Sequence, residues 1–91
     1  MIRYYVCGLG NDENLEAIDY EVGFGDFDTC EEAYELFEEL ENRNAESFFV
    51  NASKVYELEI RLEECEETED GIECIDIIDE FGITNPNFKE E

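Results

Sequence analysis

The 91-residue sequence has no histidine and no tryptophan, a single proline, and only five Lys+Arg against 28 Asp+Glu. Without histidine it lacks the side chain most used as a general base near neutral pH and as a metal ligand. A formal net charge of -23 opposes direct binding to DNA, RNA or an anionic membrane, because like charges repel at close approach. No apolar run approaches the roughly 18 residues that span a bilayer. The N-terminal residues Met1-Ile2-Arg3-Tyr4-Tyr5-Val6-Cys7 have no basic region followed by an apolar stretch of signal-peptide length, so a cytoplasmic location is expected. No two of the four cysteines (Cys7, Cys30, Cys65, Cys74) have C-x-x-C spacing. They are read as reduced thiols, most of them acting as small buried hydrophobes, with no disulfide, metal or cofactor expected.

The residues that are present describe a folded chain. A content of 43% hydrophobic and 13% aromatic residues is too rich for a disordered acidic segment, and the length allows one small domain over 1–91. Residues 2–7 alternate as a strand, and Gly8-Leu9-Gly10-Asn11-Asp12-Glu13-Asn14 offers turn chemistry. Ile18, Tyr20, Val22 and Phe24 form one face of a second strand, with Gly23 and Gly25 marking a bulge or bend at its end. A helix is predicted from Thr29 to Asn42. Asp28 or Thr29 can cap it with a Glu three positions on, and Ala33, Leu36, Phe37 and Leu40 make one apolar stripe.

Ser47-Phe48-Phe49-Val50 reads as a short strand or a loop packing two aromatics. Val55 to Leu62 alternates sharply, and Glu64 to Gly71 reads as an acidic hairpin tip turning at Asp70-Gly71. Ile72 to Phe81 is the returning strand, its period blurred by Ile75, Ile77 and Ile78. Residues 82–91 read as a loop or flexible tail. The predicted fold class is α+β, an antiparallel sheet of about four strands in the order β-β-α-β-β with one helix packed on one face. Asp19, Glu21, Glu57, Glu59 and Glu63 are expected on the opposite face.

The acid is clustered. Residues 26–41 hold eight acids and no base, and residues 57–80 hold twelve acids and one base, Arg61. On a strand, same-face residues recur about every 6.6 Å, and on a helix i and i+4 are about 6 Å apart along the axis. Both spacings approach that of successive phosphates on a nucleic-acid strand, so carboxylates on such elements can copy its charge lattice. A small domain needs a net charge of only about 2–8 for solubility, far less than is present here.

Other sites fit poorly. Glu66-x-Thr68-x-Asp70-Gly71 spaces like the start of an EF-hand loop, but Ile77 stands where the bidentate Glu belongs. Gly8-Leu9-Gly10 is followed by acids that would repel phosphate. No carboxylate pair is set apart for acid–base work, so no enzyme activity is expected.

In its small size, extreme acidity, single β-rich domain and lack of catalytic residues, the chain resembles the DNA-mimic inhibitors of phages and mobile elements, which include acidic anti-CRISPR and antirestriction proteins. The resemblance is one of overall character and carries no shared motif. It implies a stoichiometric inhibitor acting in the cytoplasm of a bacterial host cell. Its partner would be a basic DNA- or RNA-binding protein, foremost a CRISPR-Cas effector or surveillance complex whose DNA or PAM binding it blocks. On this reading the partner-binding residues are Glu31, Glu35, Glu38 and Glu39 of the helix and Glu63, Glu64, Glu66, Glu67, Glu69 and Asp70 of the last hairpin. The alternatives are an acidic protein–protein interaction module and an antirestriction protein whose target is not a CRISPR complex.

Overall fold

Alternating β-prone residues give four strands, and the one stretch with a 3.6-residue apolar period gives the helix. The computed structural model describes residues 1–50 and 52–88. Strand β1 (Ile2–Asn11) is followed by β2 (Ala17–Phe27), helix α1 (Cys30–Glu41), a 3₁₀ turn (Ala45–Phe48), β3 (Glu57–Thr68) and β4 (Gly71–Thr84). The strands form one antiparallel sheet in the order β2-β1-β3-β4, and α1 contacts β1, β2 and β3. This is the α+β arrangement predicted from the sequence. No helix among the described residues is long and apolar enough to cross a membrane.

The helix starts where its capping chemistry dictates. Thr29 is the N-cap: its Oγ1 accepts from the Glu32 backbone N–H at 3.3 Å, and its hydroxyl donates to Glu32 Oε1 at 3.0 Å. Of the two possible capping registers, the one built on Thr29 and Glu32 is therefore used. At the other end Asn42 Nδ2 donates to the Glu38 carbonyl at 2.8 Å, satisfying one orphan acceptor. Ala33, Phe37 and Leu40 are buried against Val6, Leu58, Ile60 and Leu62 in one core. Phe37 meets Phe81 edge-on at 5.1 Å between centroids, a favoured aromatic geometry. Phe48 and Phe49 are buried at the 3₁₀ turn, so the segment expected as a strand or loop is a single turn carrying two aromatics into the core.

Several boundaries differ from expectation for identifiable reasons. Gly8 and Gly10 belong to β1 and not to a turn. A Cβ on Gly8 would lie 3.1 Å from Leu58 and Val22, and one on Gly10 would lie 2.9 Å from the Tyr20 Cβ. The glycines admit neighbouring side chains over the strand. The turn comes later, where Asp12 Oδ1 accepts from the N–H groups of Asn14 and Glu16. The expected irregularity at Gly23 and Gly25 is present: the β1–β2 register shifts between Val6↔Gly25 and Cys7↔Gly23, making Phe24 the extra residue, and the strand continues beyond it.

The acidic stretch Glu64–Gly71 is not one projecting tip. Strand β3 runs to Thr68, only Glu69 and Asp70 lie between the paired strands, and Gly71 carries the positive φ of 131°. Residues 82–84, expected in the tail, complete β4. Residues 85–88 follow it without regular structure, anchored by buried Asn85, whose Nδ2 donates to the carbonyls of Ala52 and Val55. The remainder of that expected tail, 89–91, lies outside the described residues.

Candidate functional site

Strand alternation sorts the last hairpin's acids onto two faces. Leu62, which is fully buried beneath α1, pairs with Asp79; Glu64 pairs with Asp76 and Glu66 with Glu73. These five acids share the helix side of the sheet. Arg61↔Glu80, Glu63↔Ile77, Cys65↔Cys74 and Glu67↔Ile72 occupy the other, open side, joined there from β1 by Arg3, Tyr5, Cys7, Leu9 and Asn11. Glu21, Glu57, Glu59 and Glu63 stand on this open side by register, as expected.

The helix side carries acids from both of the sequence's acidic clusters. Glu31, Glu35, Glu38 and Glu39 are exposed on α1. Two tyrosines bond to the hairpin acids, one from the helix and one from within the sheet. Tyr34 of α1 donates to Asp79 Oδ2 at 3.4 Å, and Tyr4 of β1 donates to Glu64 Oε1 at 3.2 Å. Both phenols are held above their ordinary pKa, first by burial and then by these carboxylates, so they remain donors at neutral pH. Glu64 and Glu66 thus lie on the same side as the helix acids, and Glu69 and Asp70 sit at the exposed turn. Glu63 and Glu67 point to the opposite side, so the ten residues predicted as one binding set do not form a single surface.

Two of the three arginines are directed elsewhere. Arg3 pairs with Asp26 and Asp28, Arg61 with Glu59 at 3.1 Å and Glu80 at 3.5 Å, and Arg43 with Glu39 at 2.6 Å. Glu39 is therefore already engaged by a cation of its own chain, which lowers what it can offer a partner. Among the described residues, neither Arg3 nor Arg61 has a hydrogen-bond partner for its Nε.

The open side carries a constellation that linear spacing conceals. A groove of about 570 Å³ there is lined by Tyr5, Cys7, Glu63, Cys65, Ile72 and Cys74 among others. Cys7 Sγ donates to Glu63 Oε1 at 3.3 Å, and Cys74 Sγ lies 3.6 Å from Glu63 Oε2. Burial, followed by the Glu63 carboxylate, pushes the Cys7 thiol up to about 12. Burial, followed by Cys74 and Glu63, pushes Cys65 up to about 11. These are protonated, weakly nucleophilic thiols. A signal for the Cys65–Cys74 pair exists in the sequence: a two-residue loop at Glu69-Asp70 places Cys65 opposite Cys74. A loop at Asp70-Gly71, the stronger turn dipeptide, places Cys65 opposite Asp76 and separates the cysteines.

Comparison of the chain with protein-family models, with curated proteins and with solved structures finds no match.

Proposed function

We propose that this protein is a stoichiometric inhibitor that occupies the basic nucleic-acid groove of a DNA- or RNA-binding protein. The favoured target is a CRISPR-Cas effector or surveillance complex in the cytoplasm of a bacterial host. The observation that carries this reading is that the α1 acids and five hairpin acids share one side of the sheet, where Arg43 pairs with Glu39 while, among the described residues, Arg3 and Arg61 pair with other carboxylates.

The magnitudes support it. The chain carries one net negative charge per about 260 Å² of its 5974 Å² surface, against roughly one per 110 Å² on a B-DNA cylinder. Lys and Arg that bind phosphates would pair with the helix-side carboxylates, and long-range attraction would speed the encounter. The mechanism is steric and electrostatic: the protein competes for the groove and transforms nothing.

The test is a mobility-shift assay in which purified CRISPR effectors bind their cognate duplex while this protein is titrated in. The reading expects duplex displacement near one equivalent. It also expects a variant with Glu31, Glu35, Glu38, Glu64 and Glu66 all changed to Lys to displace nothing while melting as a folded protein. Inhibition that survives this variant would remove the helix side from the account. The groove on the open face, with Tyr5 and Phe24 in its lining, favours a second reading as an interaction module. That reading expects binding to a partner that duplex DNA does not displace.

A further inference from the structure

We propose that Glu63, Cys65 and Cys74, with Cys7 beside them, form a binding site for a thiophilic divalent cation such as Zn²⁺. The site lies on the open face of the sheet and does not depend on the acidic helix side.

The geometry carries the proposal. One ligand atom each from Glu63, Cys65 and Cys74 falls within 4.8 Å of the other two. With Zn–S near 2.3 Å and Zn–O near 2.0 Å, a tetrahedral centre sets its ligand atoms about 3.5 Å (S to O) and 3.8 Å (S to S) apart. The Cys7–Glu63 and Cys74–Glu63 separations of 3.3 and 3.6 Å already have that scale, and because Glu63, Cys65 and Cys74 all lie within 4.8 Å of one another, closing them on a metal asks for a contraction of about 1 Å. The backbone is fixed in advance. β3 is an interior strand paired on both sides, with Cys65 facing Arg3 and Cys74, and Glu63 facing Tyr5 and Ile77. A rigid strand that presents converging ligands loses little freedom on binding.

Access and selectivity follow from the surroundings. Cys65 is only 3% exposed, while Cys74 is exposed at the groove. A cation can thus enter beside Cys74 and be held by Cys65 within the protein. Two sulfurs select borderline-soft metals over Ca²⁺ and Mg²⁺, which require oxygen. Binding through Glu63, Cys65 and Cys74 converts two thiols to thiolates and releases two protons to solvent. Rotation of Cys7 into the fourth position releases a third, and otherwise water completes the tetrahedron.

The test uses the reduced, full-length protein titrated with Co²⁺ in a large excess of Mg²⁺, which saturates the scattered surface carboxylates. The site predicts one equivalent of Co²⁺ taken up with thiolate-to-cobalt charge-transfer and tetrahedral d–d bands, which Zn²⁺ then bleaches. Cys74→Ser and Glu63→Gln should each weaken uptake by at least the about 10–100-fold that loss of an outer-shell partner costs. Cys30→Ser should leave uptake unchanged. Because Cys74 is exposed, its variant is expected to fold, and a circular-dichroism melt of each variant verifies this. Cobalt uptake without charge-transfer bands, uptake abolished by Mg²⁺, or uptake indifferent to Cys74→Ser in a folded protein would each overturn the site. So would a reduced protein that takes up no Co²⁺, whether or not Cys65 and Cys74 join as a disulfide in air.

Discussion

Cys65 stands directly opposite Cys74 in the β3–β4 ladder, and that pairing is fixed by a turn four residues away. Thr68↔Gly71 closes the hairpin, with Thr68 Oγ1 accepting from the Asp70 N–H. The φ of 131° at Gly71 lies where a side chain is strongly disfavoured. Gly71→Ala should therefore cost about 1–2 kcal/mol or more, measured by urea unfolding. Gly23→Ala, with no atom near its added Cβ, should stay within about 0.5 kcal/mol of wild type. Equal effects of the two substitutions would contradict the turn assignment.

The Cys7 thiol gives a pH dependence of definite sign. Burial, then the Glu63 carboxylate, raises it to about 12 in the folded protein, against about 8.5 in an unfolded chain. The fold thus favours the protonated form, and its contribution is complete below about 8.5. Stability should fall as pH rises from there toward about 12, as the unfolded chain ionises first. Tyr4 and Tyr34, also raised by burial, add to the same alkaline loss. In chelator-containing buffer, thermal melts at successive pH values above 8 should decline steeply for the wild type and less steeply for Cys7→Ala. Parallel declines would show that this thiol does not contribute.

Glu64 faces Asp76 and Glu66 faces Glu73 across the same hairpin, and like charges directly opposite are destabilising. Salt screens them, so raising NaCl from low to moderate concentration should raise the melting temperature. Glu73→Lys should stabilise by about 0.2–1 kcal/mol and reduce the salt effect. A salt-independent melt would mean that this repulsion does not limit stability.

Most of the fold was legible in the sequence because its periodicities were clean. Leu58, Ile60 and Leu62 alternate without interruption, and β3 is continuous against β1. The Thr29–Glu32 capping box lies just ahead of the stripe it initiates. The last strand was harder to read for a physical reason. Its β3 pairing skips Ile78 between Asp79 and Ile77, and Ile75 between Asp76 and Cys74. Two bulges each shift the alternation by one residue, and a period-two pattern cannot survive that. The acidic hairpin was visible as a run of charge, but strand alternation placed Glu64 and Glu66 on one face and Glu63 and Glu67 on the other. The cysteine cluster draws on three strands, and local spacing offers only its Cys65–Cys74 pair, in one of two possible turn registers. It required the register set by Gly71.

On the proposed function, the acidic helix side substitutes for nucleic acid in a basic groove. The most direct test is capture from lysate of a bacterium carrying CRISPR and restriction systems, with the protein immobilised and eluted by rising salt or by duplex DNA. The account predicts retention of a nucleic-acid-binding complex that salt releases and its cognate duplex displaces, with no retention by the variant reversed at Glu31, Glu35, Glu38, Glu64 and Glu66. A retained partner that is indifferent to duplex DNA and to the reversal would contradict it.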